Sequence, residues 1–145
     1  MPRPITRVLL VEDSIADSTL ILEVLEDEKI AADVVVVRDG IEAMQYLKKE
    51  GQFANATNRD LVILDLNLPR MDGREVLAEM KKTPGLETIP VVILTTSQSE
   101  EDIMASYRLR ASCFVTKPID LAQFITVVKS IDNFWFTAVK YPPVR

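Results

Sequence analysis

Histidine is absent from the chain, and cysteine occurs only once, at position 113. The lack of histidine excludes Ser-His-Asp and Cys-His catalysis and the usual zinc ligand sets. A single cysteine excludes an internal disulfide, and the neighbours of Cys113 predict a buried strand rather than a redox site. A reducing cytosol fits these absences.

Glycine and basic residues are also few. The four glycines, at positions 40, 51, 73 and 85, form neither of the common phosphate-cradling loops, which argues against a nucleotide-binding domain. The 17 basic residues are outnumbered by 22 acidic ones, so no basic field is present to attract nucleic acid or anionic lipid. The first apolar run is too short for a signal peptide or a membrane span. We therefore expect a cytoplasmic protein without a direct nucleic-acid or membrane partner.

Five short apolar runs alternate with amphipathic segments along the 145 residues. The runs have strand length and are continuously apolar, which is typical of parallel strands covered on both faces. The segments between them have helical spacing, and Asp120 is a candidate N-cap for the last one. The pattern predicts a (βα)5 flavodoxin-like three-layer α/β sandwich with a parallel sheet of order 2-1-3-4-5. The predicted strands are 8–11, 34–37, 61–64, 91–94 and 113–115.

No linker, repeat or low-complexity tract interrupts this alternation, and the longer polar connection at 48–59 is expected to be a surface loop. We therefore expect residues 1–145 to form a single domain with a C-terminal helical extension and no output domain. Output would then pass through a partner.

Polar residues stand where the predicted strands end. Glu12 and Asp13 follow the first strand, Asp65 the third, Thr95 the fourth and Lys117 the fifth. Open α/β sheets bind ligands at the carboxyl ends of their strands, so these side chains should converge. A hard divalent cation and the ammonium of Lys117 would relieve the repulsion among the carboxylates. The pattern predicts phosphoryl-transfer chemistry with Asp65 as the nucleophile.

Simpler roles are open for single residues. Glu12 or Asp13 could cap the first helix, and Thr95 could be an ordinary β-branched strand residue. The main alternative function is an aspartyl-nucleophile phosphomonoesterase. Such enzymes need an acid two residues after the nucleophile, and the chain has Asn67 there.

The segments VLLVEDS, LVILDLNLPRMDGREVL, PVVILTTS and CFVTKP resemble the signature segments of response-regulator receiver domains. The resemblance implies that Asp65 is the phosphoacceptor. It implies that Asp13, Asp65 and the backbone carbonyl of Asn67 ligate Mg²⁺, with Mn²⁺ able to substitute, and that Glu12 contributes to the metal site through water. It also implies a signalling domain that catalyses only its own phosphotransfer and autodephosphorylation.

The same resemblance assigns roles to residues around the acids. Thr95 would hydrogen-bond the phosphoryl group and Lys117 would pair with it. Pro118 would follow a cis peptide bond that directs the lysine into the pocket. Phe114 occupies the position of an aromatic residue that changes rotamer together with Thr95, and a phenylalanine lacks the hydroxyl of a tyrosine.

A closer resemblance covers the loop before the third strand, DLNLPRMDGREVLAEMK, TTSQSEEDI and the ending SIDNFWFTAVKYPP. These segments are similar to the small regulators associated with phytochrome-type histidine kinases. The resemblance implies a phosphohistidine on such a kinase as the phosphoryl donor.

The aromatic ending, residues 134–143, carries more apolar surface than one helical stripe can bury. We expect a homodimer through the fourth helix, the fifth strand, the fifth helix and the C-terminal tail. Pro142 and Pro143 would hold the tail extended, away from its own domain. In the alternative arrangement, the tail folds back over its own sheet edge.

Overall fold

The computed structural model describes residues 5–143 and contains five parallel strands in one sheet of order β2-β1-β3-β4-β5, as predicted. A helix follows each strand, and a short 3-10 turn lies in the loop before β3. The elements are β1 Thr6–Val11, α1 Ile15–Asp27, β2 Ala32–Val37, α2 Gly40–Lys48, the 3-10 turn Gly51–Phe53, β3 Leu61–Leu64, α3 Gly73–Lys82, β4 Val91–Thr95, α4 Glu100–Arg108, β5 Cys113–Thr116 and α5 Leu121–Trp135.

The three central strands are buried on both faces, which explains their continuously apolar sequences. Successive side chains of a strand point to opposite faces, so each central strand supplies two cores. Leu9 and Leu64 pack with α2 and α3 on one face, whereas Leu10 and Ile63 pack with α1 and α5 on the other. The helices therefore cover both faces and leave the carboxyl ends of the strands open to form a site.

Side-chain caps start all five α-helices. In each case the residue before the helix accepts a hydrogen bond from a backbone N–H in the first turn, which satisfies one of the donors that a helix start leaves free. Asp120 caps α5 as predicted, since its carboxylate accepts from Gln123. The other caps are Ser14, Asp39, Asp72 and Ser99.

Gly73 allows α3 to begin directly against the end of β3. A Cβ atom at this position would lie 2.2 Å from the backbone oxygen of Asp65, which is closer than carbon and oxygen can approach. The Gly73 amide also donates to the Leu66 carbonyl at 2.9 Å. The Asp72-Gly73 turn thus holds the backbone that carries Asp65.

The C-terminal tail folds back onto its own domain, so the prediction that it projects away is wrong. Phe136 is buried in the core between the sheet and helices α1 and α5. The Tyr141 hydroxyl donates to the Trp135 backbone carbonyl, and the ring centroids of these two residues lie 6.4 Å apart. Pro142 and Pro143 then line a cavity of about 410 Å³ at the amino ends of the strands. Burial of these aromatic side chains in their own core favours the folded-back arrangement.

No helix within residues 5–143 is both long and apolar enough to cross a membrane.

Candidate functional site

The three acids at the ends of β1 and β3 come together. Glu12, Asp13 and Asp65 each offer a carboxylate oxygen, and these atoms lie within 4.8 Å of one another. They converge because β1 and β3 are neighbours in register, with Val11 opposite Leu64. Glu12 and Asp65 are buried, whereas Asp13 is exposed. The cluster therefore opens to solvent on the Asp13 side.

Lys117 reaches into this cluster from the end of β5. Its Nζ atom donates to Asp65 Oδ2 at 3.0 Å and also donates to Glu12 Oε1. A third hydrogen bond, at 3.0 Å, goes to Oδ2 of Asp17 in the first turn of α1. Asp17 is not among the site residues predicted from the sequence. The available signal was its place in the first helical turn after the acidic pair, where a carboxylate can turn back toward the sheet edge.

The protonation of the buried pair follows from burial and close contact. Burial is the largest influence on Glu12 and raises its pKa to about 7, although the hydrogen bond and charge of Lys117 oppose the shift. Burial alone would lower the pKa of the Lys117 ammonium. Its contacts with Glu12, then Asp65 and Asp17, outweigh burial and raise the pKa above its ordinary value. Lys117 is therefore a permanent positive charge among the acids.

Thr95 and Phe114 lie on the strands between Asp65 and Lys117. Thr95 ends β4 with no exposed surface, and its carbonyl accepts from the Lys117 amide at 2.7 Å. Its hydroxyl makes only a long contact, accepting from the Ser97 amide at 3.5 Å. Phe114 in β5 is half-buried against the core formed with α2 and α3. Thr95 thus lies at the end of β4, between the strand that ends at Asp65 and the strand that ends at Lys117.

Asn67 is placed beside the predicted nucleophile by its backbone. Its amide donates to Asp65 Oδ1 at 3.1 Å, and its own side chain is exposed. One oxygen of Asp65 therefore accepts from the Asn67 backbone while the other accepts from Lys117.

The peptide bond before Pro118 is trans, because residues 5–143 contain no cis peptide bond. The prediction of a cis bond is wrong in this structure. Trans is the lower-energy isomer before proline by about 0.5–1 kcal/mol. The flexible four-carbon stem of Lys117 brings the ammonium to the acids without the cis bond.

The suggestion that Glu12 or Asp13 caps the first helix is wrong, because Ser14 is the N-cap of α1. The Glu12 carboxylate instead accepts from the Ser14 amide at 3.1 Å. That hydrogen bond orients the acid at the start of the helix and leaves its other oxygen for Lys117.

The donor set fits a hard divalent cation. Three carboxylate oxygens lie within 4.8 Å of one another, and oxygen atoms of this kind are the ligands that hard divalent cations prefer in proteins. No histidine or thiolate is present among these ligand atoms to favour a softer metal. Bound phosphate oxygens would complete a magnesium-type coordination sphere.

Comparison with known proteins supports this interpretation of the site. A sequence profile of the response regulator receiver domain matches residues 8–129. Response regulator Rcp1 of Synechocystis sp. is 47% identical over 135 residues, which cover 93% of this chain and 92% of Rcp1.

Two solved structures also match nearly the whole of this chain. The Mn²⁺-bound form of response regulator Rcp1 is 46% identical with a TM-score of 0.92, over 95% of this chain and 99% of that one. The phosphorylated cyanobacterial phytochrome response regulator RcpA is 49% identical with a TM-score of 0.92, over 97% of this chain and 100% of that one. These similarities do not favour the phosphomonoesterase alternative. The fold matches, the profile spans every strand-end residue of the site, and the relatives are similar along nearly their whole length. The chain therefore belongs to the response regulator receiver domain family of two-component signalling proteins.

Proposed function

We propose that Asp65 accepts a phosphoryl group from the phosphohistidine of a histidine kinase and that the resulting aspartyl phosphate is the signal. The observation that carries this proposal is the 3.0 Å contact between Asp65 Oδ2 and the buried ammonium of Lys117, inside a cluster of acids. A carboxylate oxygen of Asp65 attacks phosphorus in line as the bond to the histidine nitrogen breaks, and the imidazole leaves with the electron pair.

The charge of the transferred group has to be neutralised during this step. Lys117 supplies a fixed positive charge on the side of β5. Glu12, Asp13, Asp65 and the backbone carbonyl of Asn67 would hold Mg²⁺, with Mn²⁺ as a substitute, and the ion would neutralise charge on the phosphoryl oxygens. The 46% identity to Rcp1, which has a Mn²⁺-bound form, supports a divalent ion in this protein as well.

Thr95 and Phe114 are the proposed switch. The Thr95 hydroxyl is buried and has only a 3.5 Å contact in the present state, so it is free to turn toward a phosphoryl oxygen. The movement would let the half-buried Phe114 change rotamer on the neighbouring strand. We propose that the domain catalyses its own phosphotransfer and autodephosphorylation and that the switch changes its surface in response.

The donor we propose is a phytochrome-type histidine kinase in the cytosol. Support comes from the 49% identity to RcpA, a protein named as a phytochrome response regulator. The chain itself contributes no histidine to the relay.

We also propose a homodimer through α4, β5 and α5. Met104 and Tyr107 on α4 are about half exposed, and Phe134 near the end of α5 is 57% exposed. Apolar surface of this kind marks interaction sites. Because the tail packs on its own domain, we expect its aromatic residues to support α5 rather than to cross to a partner.

Light scattering at micromolar concentration should give a dimer, and Phe134→Ser should weaken it. A monomer would contradict this proposal.

Replacement of Asp65 by Asn tests the phosphoacceptor directly. Full-length protein is incubated with acetyl phosphate and Mg²⁺, and phosphorylation is followed by intact mass and peptide mapping. We expect labelling at Asp65 in the wild type and none in Asp65→Asn. An Asp13→Asn variant controls for lost negative charge, since it should weaken metal binding but retain Asp65 as the labelled residue. Undiminished labelling of Asp65→Asn at another residue would overturn the assignment.

A further inference from the structure

Asp17 is an acid of the site that does not lie at the end of a strand, because it belongs to the first turn of α1. It is 100 residues from Lys117 in the sequence, yet its Oδ2 accepts from Lys117 Nζ at 3.0 Å. The side chain of Asp17 is 30% exposed, compared with 2% for Glu12 and 8% for Asp65. The lysine therefore has two buried carboxylate partners and one that reaches solvent.

The start of α1 fixes the position of Asp17. The Ser14 hydroxyl accepts from the Asp17 amide at 3.1 Å and holds this residue in the first helical turn. The positive end of the helix dipole favours a carboxylate there. Asp17 and Lys117 also line the same surface groove between α1 and the start of α5, together with Leu20 and Leu121. Asp17 therefore stands between the acid pocket and that groove.

The three partners of Lys117 have different fates when the site reacts. Asp65 becomes an acyl phosphate and is no longer a carboxylate. Glu12 belongs to the group of acids that can hold a metal, whereas Asp17 is outside that group. Asp17 is thus the one of these three partners that neither phosphorylation nor the proposed metal would engage. With one N–H held by Asp17, the others keep a fixed direction toward the phosphoryl oxygens.

We propose that Asp17 is a positioning residue, which holds the Lys117 ammonium in the orientation that stabilises the transferring phosphoryl group. The inference rests on the proposed phosphorylation of Asp65. Fixed charges aimed at the place where charge develops are the main source of catalysis in such sites, and small displacements of them are costly. Formation and hydrolysis of the acyl phosphate both pass through in-line transfer with charge on the equatorial oxygens. Loss of Asp17 should therefore slow both reactions.

The test compares Asp17→Asn with the matched control Glu23→Gln. Glu23 is an acid of the same helix and lines the same groove, but it is not among the hydrogen-bond or ion-pair partners of Lys117 within the described residues. Acetyl phosphate with saturating Mg²⁺ serves as donor, and the rates of phosphorylation and of phosphoryl loss are measured on full-length protein. We expect Asp17→Asn to slow both rates by about three- to tenfold. This factor lies between the small effect of losing a partly exposed ion pair and the larger effect of displacing a catalytic group. Glu23→Gln should stay within about twofold of the wild type.

Further variants separate positioning from a structural role. Asp17→Glu should restore most of the rate, because the partly exposed site has room for a longer carboxylate. Mn²⁺ affinity and the unfolding midpoint should be unchanged in Asp17→Asn. In a Lys117→Met background, which keeps an unbranched apolar stem and is checked by circular dichroism, Asp17→Asn should have no additional effect.

Three results would overturn the inference: equal rates for Asp17→Asn and Glu23→Gln, a faster Asp17→Asn, or a full additional effect without Lys117. Failure of the proposed function looks different, because the wild type would then not be labelled at Asp65 at all.

Discussion

Asp132 near the end of α5 is a buried acid without a partner. It is 1% exposed, and neither carboxylate oxygen has a hydrogen-bond partner among the residues that the structure describes. Burial raises its pKa to about 7, and the nearby charge of Glu28 acts in the same direction. Glu28 itself pairs with Lys129 at 3.3 Å, so that cation is already engaged. The folded state therefore favours the protonated form of Asp132.

The raised pKa of Asp132 predicts how stability depends on pH. Below the ordinary pKa of 3.8 the acid is neutral in both the folded and unfolded states and costs nothing. As pH rises toward about 7 the unfolded chain ionises while the folded chain stays protonated, and the penalty on folding grows. Each pH unit between the unfolded and folded pKa values adds about 1.36 kcal/mol, so the penalty reaches on the order of 4 kcal/mol above pH 7. That is a large part of the total stability of a domain of this size.

We expect Asp132→Asn, which has the shape of the protonated acid, to remove this penalty. The free energy of unfolding is measured by urea denaturation, with circular dichroism, at several values from about pH 5 to about pH 8. The difference between Asp132→Asn and the wild type should grow with pH and favour the variant by a few kcal/mol at the upper end. In a Glu28→Gln background this difference should grow less with pH, since the variant removes the neighbouring negative charge that helps to raise the pKa of Asp132.

Asp27→Asn is the matched control, because it removes an exposed carboxyl at the end of α1. Its difference from the wild type should not vary with pH over this range. A constant difference for Asp132→Asn, or one that falls as pH rises, would refute the reasoning.

Three further predictions concern the acid site and its support. Excess chelator should abolish labelling of the wild type, because clustered carboxylates need a hard cation to admit an anionic phosphoryl group, and full labelling in chelator would contradict the metal site. Lys117→Ala should impair the conformational response to phosphorylation, followed by hydrogen exchange, more than Mn²⁺ affinity, and an equal loss of both would indicate a structural role. Gly73→Ala should lower the free energy of unfolding by about 1–3 kcal/mol, because its Cβ would overlap the Asp65 carbonyl. A Gly73→Ala variant as stable as the wild type in urea would show that α3 can shift freely.

Local patterns in the sequence determined the fold and most of the acid site. Continuous apolar runs marked the strands, and their alternation with helical spacing left a parallel sheet as the consistent arrangement. The order of the strands then brought Glu12, Asp13 and Asp65 to one sheet edge, since each lies at the end of a strand. Such positions depend on chain direction and strand order, and both can be read from the sequence.

Only the tertiary structure decided the features that depend on distances between remote side chains. Asp17 reaches Lys117 because the first turn of α1 faces the end of β5. Its place in that turn can be read from the sequence, but its pairing with a lysine 100 residues away cannot. The tail could project or fold back, and the choice depended on the aromatic burial available on its own domain. Asp132 lies on the buried side of α5 at the packing with α1, so its environment and not its residue type sets its pKa. Helical and strand periodicity is a property of the local backbone, whereas burial and pairing are properties of the assembled core, and the second cannot be obtained from the first.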